Sequence, residues 1–248
     1  LKLLNHNGEF LSAEDGAQIL AMADADGYSF AEVDGLGTVI SRESYDQKHI
    51  DALLALPLVD VAAVKDAKFT VAVDAVNSVG GIIIPELLEQ MGVNVIGLYT
   101  DPNGEFAHNP EPLPEHLTEI SALVVDRKAD LGVVVDPDVD RLALVCEDGS
   151  MFGEEDTLVA VADYVLSQTD GKKNTVSNLS SSRALADVTQ KWHGGNYAAA
   201  AVGEVNVVAK MKETGAVIGG EGNGGVIYPE LHYGRDALTG AALIMQYM

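Results

Sequence analysis

Apolar and polar positions along this chain follow two periods, one suited to helices and one to buried strands, and the switches between them predict its elements. Residues 1 to 40 open with a strand-like stretch and a turn at Gly8. A helix follows from about Ala13 to Ala23, capped by Ser12 with Asp15 in its first turn. The acidic stretch from Asp24 to Gly37 reads as exposed, and the segment as a whole is too small to fold alone. From Ser41 a helix places Ile50, Leu53, Leu54 and Val61 at apolar spacing, with Pro57 breaking or kinking it.

The pattern then changes to short apolar runs. Phe69 to Val73 reads as a buried strand, followed by a turn at 77–81, a helix from about Pro85 to Met91 and a strand from Asn94 to Leu98. Strand, helix and strand at this spacing predict a parallel pair with a right-handed crossover. A Pro-rich connection leads to a helix with Leu117, Ile120, Val124 and Val125 on one face, then to a strand from Leu131 to Val135. The order recurs: strand Thr175 to Leu179, a Ser-rich turn at 180–182, helix Ala184 to Trp192, apolar segment Ala198 to Val202. Each copy ends in a hairpin, one with an acidic tip at 136–141 and one with a Gly-rich tip at 219–225. The expectation is an α/β protein with two similar three-layer α/β/α domains, about 41 to 150 and 151 to 248, built on mixed, mostly parallel sheets.

Charge narrows the partners. Among 248 residues, 15 Lys and Arg stand against 38 Asp and Glu, a net of −23, and no Lys/Arg cluster interrupts the acidity. Nucleic acid and anionic membranes are repelled by such a chain. A chain this acidic that handles an anionic substrate must gather its few positive groups at the site, so each Arg is informative. Cys146 is the only cysteine, which fits a reducing cytoplasm, and its apolar run suggests an inert buried thiol. No apolar stretch reaches transmembrane length, and the opening residues do not read as a secretory leader. The opening Leu1-Lys2-Leu3-Leu4 reads as the tail of an element and Leu238 to Met248 as a helix cut short, so an internal piece of a longer chain is expected.

The chemistry concentrates in the two hairpin tips. In an extended Asp136-Pro137-Asp138-Val139-Asp140-Arg141, the three carboxylates project to one side. Pairs about 4 Å apart would repel by roughly 4 kcal/mol at an effective dielectric near 20, and a hard cation reverses that sign. All-oxygen ligation favours Mg2+, Ca2+ or Mn2+ over Zn2+. Arg141 supplies a planar fork for a phosphate oxygen or a carboxylate. Three other readings compete. A calcium hand needs Gly where Arg141 stands. A haloacid-dehalogenase-like phosphatase would use Asp136 as nucleophile but leaves Asp140-Arg141 unexplained. A solvated acidic turn is the plain reading.

In Gly219-Gly220-Glu221-Gly222-Asn223-Gly224-Gly225, one carboxylate and one amide among five glycines suit a ligand that approaches the backbone closely, such as a sugar with vicinal hydroxyls. A flexible hairpin with an incidental Glu is the alternative. Asp236 reads as a helix cap beside Arg235, and that pair as mostly structural. Glu204 follows Gly203 at a strand end and borders the same pocket or a plain turn, while Ser180 to Arg183 sit where an anion could bind. His108 has no paired acid identifiable from sequence and reads as a loop residue.

Taken together, these residues resemble the α-D-phosphohexomutase family, the phosphoglucomutases and phosphomannomutases. Residues 136 to 141 match that family's metal loop, Asp-x-Asp-x-Asp-Arg, in full, and Gly220 to Gly224 match its sugar loop, Gly-Glu-x-Ser/Asn-Gly. The family has four domains. The resemblance implies that residues 1–40 are a C-terminal remnant of domain 1, 41–150 the metal-binding domain 2 and 151–248 most of the sugar-recognition domain 3. It implies that Asp136, Asp138 and Asp140 bind Mg2+, that Arg141 assists at the phosphate, and that Glu221, Gly222 and Asn223 contact the sugar. The implied reaction is reversible transfer of phosphate between O1 and O6 of a hexose phosphate through a bisphosphorylated sugar.

The family's phosphoserine motif, Ser-His-Asn-Pro, is absent here; Ala107-His108-Asn109-Pro110 copies three of its residues but belongs to a domain 2 connection. Domains 1 and 4 of the parent chain would therefore be missing partners, and the piece is expected to be inactive alone. Glu204 departs from members that carry a basic residue beside that Gly. The readings that remain beside the mutase are the phosphatase using Asp136 and a non-catalytic metal or sugar binding module.

Overall fold

A computed structural model describes residues 2–40, 44–171, 173–192 and 194–248. The helix start expected at Ser41, and the domain boundary placed there, lie outside the described residues. The chain divides into two compact units, Leu1–Gln47 and Lys48–Met248.

In the first unit, Leu4 and Phe10 form an antiparallel bridge across a turn in which Gly8 has φ +76°. Helix α1 (Ala13–Asp24) begins where expected, with Ser12 Oγ accepting the Asp15 N–H at 3.1 Å. None of the described residues of this unit is buried, so it has no core of its own.

The second unit carries the sheets. Helices α2 (Asp46–Leu54) and α3 (Val61–Ala67) bury Ile50, Leu53 and Val64, and the chain turns between them at Pro57. One four-stranded sheet has the order β2-β1-β3-β4, from β1 (Thr70–Asp74), β2 (Asn94–Leu98), β3 (Leu131–Val135) and β4 (Leu142–Cys146). The other repeats it as β6-β5-β7-β8, from β5 (Thr175–Asn178), β6 (Tyr197–Ala200), β7 (Ile218–Glu221) and β8 (Gly225–Ile227). In both, the last strand alone is antiparallel. Helices α4 (Gly80–Gln90), α5 (Thr118–Arg127), α6 (Glu154–Gln168), α7 (Ala184–Lys191), α8 (Glu204–Thr214) and α9 (Ala237–Tyr247) flank them.

Strand periodicity sorts the side chains into layers. Val71, Val73, Val133 and Val135 face a core shared with Ile218, Val226, α6 and α9, whereas Ala72 and Val134 face the other way onto α5. In the second sheet, Val176 and Ile227 pack instead with Val207 and Met211 of α8. The expected three-layer α/β architecture with two mixed sheets is therefore what is found.

Several local expectations are corrected. Helix α4 begins at Gly80, not Pro85: a Cβ on Gly81 would lie 2.2 Å from the Thr100 carbonyl oxygen, so two glycines let the first turn pack tightly. Pro85 lies inside the helix, where it removes an internal bond without starting it. Val125 is exposed, leaving Ile120 and Val124 as the buried stripe of α5, with Leu117 buried just before it. Cys146 is half-buried at the strand end rather than enclosed. Gly219, Gly220 and Glu221 are strand residues of β7, so the second hairpin tip shrinks to 222–224.

Candidate functional site

The acidic tip joins β3 to β4, and it is a tight turn rather than the extended segment expected. Val139 adopts φ +60°, uncommon for a β-branched residue, and its N–H donates to the Asp136 carbonyl at 3.1 Å. Strain of about 1–3 kcal/mol at such a residue persists only where its surroundings over-determine it. Here Asp136 Oδ1 accepts the N–H groups of Asp140 (2.9 Å) and Arg141 (3.0 Å), and Val139 O accepts from Ala237 N at 3.0 Å. The turn, not strand alternation, brings the carboxylates together.

Carboxylate oxygens of Asp136, Asp138 and Asp140 lie within 4.8 Å of one another, with Asp136 and Asp140 buried and Asp138 exposed. Burial pushes the Asp136 carboxyl up to about 7, and the charges of Asp140 and Asp138 add to that. A divalent cation would remove the penalty, and an all-oxygen donor set suits Mg2+, so these residues fit the metal. Arg141 Nε lies 3.9 Å from both Asp136 and Asp140, too far for a hydrogen bond, while its NH1 pairs with Glu111.

The second tip abuts the first. Leu142 N donates to Gly224 O at 3.1 Å, and a Cβ on Gly224 would stand 2.3 Å from Leu142 O. Glu221, at the end of β7, is buried: Oε1 accepts from Asn178 Nδ2 (2.8 Å) and Gly203 N (3.1 Å), and Oε2 is ion-paired with Arg235 NH1 (3.0 Å). Of about four lone-pair positions on a carboxylate, those on Oε1 are taken, and Oε2 retains acceptor capacity beside the Arg235 charge. Asn223 Oδ1 accepts the Gly225 N–H at 3.3 Å, and Gly222 sits against Ser181, whose Cα would lie 2.8 Å from an added Cβ.

Arg235 connects these pieces. Its NH2 donates to Asp140 Oδ2 at 2.6 Å and its Nε to Glu204 Oε2 at 2.9 Å, and its NH1 forms an ion pair with Glu221 Oε2 at 3.0 Å. Burial works against the guanidinium charge, but Asp140, Glu204 and Glu221 outweigh it and raise its pKa. Burial pushes the Glu204 carboxyl up against the opposing pull of Arg235.

Both metal-loop and sugar-loop signatures are now placed side by side in one unit, and the family comparison agrees with them. Residues 47–149 match the model described as "Phosphoglucomutase/phosphomannomutase, alpha/beta/alpha domain II", and 154–248 match domain III of the same family. The chain belongs to the phosphoglucomutase/phosphomannomutase family. It is 33% identical to a "Phosphoglucomutase/phosphomannomutase" of Thermococcus kodakarensis over 98% of this chain and 53% of that protein. It is 30% identical to a "Probable phosphoglucosamine mutase" of Methanopyrus kandleri, over 100% of this chain and 53% of that protein. A solved structure of a phosphoglucomutase/phosphomannomutase family protein from Burkholderia thailandensis superposes with a TM-score of 0.78 at 25% identity, covering 95% of this chain and 49% of that one. The chain thus spans about half the length of the relatives it matches.

Within this family framework, the structure brings Asp136, Asp138, Asp140, Arg141, Glu204 and Glu221 into one neighbourhood through Arg235, a residue read from sequence as mostly structural. Its partners stand 95, 31 and 14 positions away in the chain, so no local pattern could announce it. The one available signal was its rarity as a cation in an acidic chain. In the Ser-rich turn, Ser180 and Ser181 donate to Asn178 Oδ1 at 3.1 and 2.6 Å and so orient the amide that holds Glu221.

His108 is likewise more than a loop residue. Its Nε2 lies 3.0 Å from Asp74 Oδ2, and its Nδ1 2.8 Å from the Asn109 carbonyl. Burial raises the Asp74 carboxyl, opposed by the Val76 N–H and by His108. Asp236 caps α9 as expected, and it also accepts from His49 Nε2 (2.9 Å) and His232 Nε2 (3.1 Å). That trio has metal-like spacing. However, His232 Nδ1 accepts the Gly234 N–H at 2.9 Å, which keeps the proton on Nε2 and makes it a donor rather than a ligand.

Proposed function

We propose that this chain is the metal-binding and sugar-recognition part of a Mg2+-dependent phosphohexomutase. The observation that carries the reading is the convergence of Asp136, Asp138 and Asp140 in a strained turn that Arg235 joins to Glu221. In this reading residues 1–40 are the end of a first domain, 41–150 the metal domain and 151–248 the sugar domain.

Asp136, Asp138 and Asp140 would hold Mg2+, which when bound offsets negative charge on a transferring phosphoryl group. Arg141, tied to Glu111 and facing both buried carboxylates, assists at the phosphate. Glu221 offers its remaining acceptor position to a hydroxyl of the hexose phosphate, with Asn223 beside it and Gly222 keeping the backbone close. The parent reaction exchanges phosphate between O1 and O6 through a bisphosphorylated sugar, in the cytoplasm. A phosphatase with Asp136 as nucleophile would use Oδ2, since Oδ1 accepts two backbone amides, and it leaves Asp140 and Arg141 without a role.

The 248-residue chain, without the Ser-His-Asn-Pro motif, is expected not to turn over glucose 1-phosphate in the presence of a bisphosphate activator. The parent protein containing that motif is expected to do so, and to lose the activity on removal of Mg2+. Robust turnover by the 248-residue chain alone overturns this reading.

A further inference from the structure

We infer that Arg235 is a positioning residue that couples the carboxylate turn at 136–140 to the Glu221 tip, so that cation binding at one resets the other. The inference rests on the proposed metal reading and adds what that reading lacks, a physical link between the two loops.

A guanidinium has three separately directed nitrogens, and each faces a different carboxylate here: NH2 donates to Asp140, Nε donates to Glu204, and NH1 is ion-paired with Glu221 at 3.0 Å. The side chain is largely buried, as are its three partners. Its backbone is also fixed, because Arg235 N lies 3.3 Å from Glu204 Oε1 and the next residue, Asp236, caps α9. Movement of Asp140 toward a cation therefore changes the pull on a planar group whose other edges hold Glu204 and Glu221. Glu221 transmits the change to the Gly203 N–H, which it accepts at 3.1 Å from a separate element.

Hydrogen-bonded partners of ligating carboxylates tune metal affinity, so loss of Arg235 geometry is expected to weaken Mg2+ binding by about tenfold. A lysine keeps the charge but is a single point donor, unable to span three carboxylates in three directions. A purely electrostatic role would survive Arg235→Lys; a positioning role would not.

The test is amide NMR of the 248-residue chain titrated with Mg2+. In the wild type, shifts are expected at Asp138 and Val139 and also at Gly203 and Gly222, which lie in the other tip or feed it. In Arg235→Lys, the shifts at Asp138 and Val139 are expected to persist at higher Mg2+, and those at Gly203 and Gly222 to be lost. Should that variant fail to fold, Glu221→Gln removes one arm and is expected to silence Gly203 while leaving Asp138 responsive. Wild-type shifts confined to the carboxylate turn overturn the coupling and leave the metal reading standing. Unchanged responses at Gly203 and Gly222 in the folded Lys variant, or at Gly203 in the Gln variant, overturn the coupling too. No wild-type shift at Asp138 and Val139 overturns the metal reading, and the coupling with it.

Discussion

The two hairpins, β3–β4 and β7–β8, occupy equivalent places in two sheets of identical strand order, yet they handle charge in opposite ways. In the first, acidic groups face one another: Asp136 and Asp140 are buried beside Asp138, and the Asp136 carboxyl is pushed up to about 7. In the second, the single carboxylate of Glu221 is held by an amide, a backbone N–H and the ion pair with Arg235. One tip crowds like charges together and the other surrounds a single charge with donors. The difference lies in the ratio of charges: three carboxylates share one Arg235 hydrogen bond in the first tip, whereas the one carboxylate of the second has two donors and the Arg235 charge.

Removing the shared cation should break this contrast most severely. Arg235→Ala leaves Asp140, Glu204 and Glu221 without their buried partner, an expected loss of about 3–5 kcal/mol in urea unfolding. Next in size is Gly224→Ala. Its φ of +83° and the 2.3 Å approach of a Cβ to Leu142 O press the tips apart, with an expected cost of about 2–3 kcal/mol by the same measurement.

A smaller, pH-dependent effect concerns the turn that carries Arg235. Hydrogen bonding to Asp236 raises the His49 pKa, an effect that outweighs burial, so its stabilisation is present below about 6.5 and is lost as pH rises through the raised value. Burial opposes the charge of Asp236, but bonds from His232, His49 and Thr239 hold its carboxyl below the usual range. That contribution is present above about pH 4 and is lost only as pH falls through the lowered value. His49→Gln should therefore lower stability most between about pH 4 and 6.5, by about 1.5–3 kcal/mol, and progressively less above the raised His49 value. Equal losses at pH 5 and pH 9 would contradict this assignment. The smallest expected effect on stability is that of Asp138→Asn, within about 0.5 kcal/mol because Asp138 is exposed, although it should cut Mg2+ affinity sharply.

Much of this was legible in the chain because it is local. β2 and β3 begin and end where the apolar runs do, and Asp-x-Asp-x-Asp-Arg needs only six consecutive residues. What escaped depends on distant contacts. The start of α4 is decided by Gly81 against Thr100, the exposure of Val125 by how α5 is rotated on its sheet, and His108 by Asp74, 34 positions earlier. Glu221 was singled out as a residue, but its bonding was not, since Asn178, Gly203 and Arg235 all come from other elements.

The proposed function hinges on the β3–β4 tip binding a divalent metal through Asp136, Asp138 and Asp140. Calorimetric titration of Mg2+ into the 248-residue chain tests it most directly, run beside Asp138→Asn. The account predicts weak, saturable, one-to-one binding that the substitution abolishes. Tight stoichiometric binding, or binding that Asp138→Asn leaves unchanged, would contradict it.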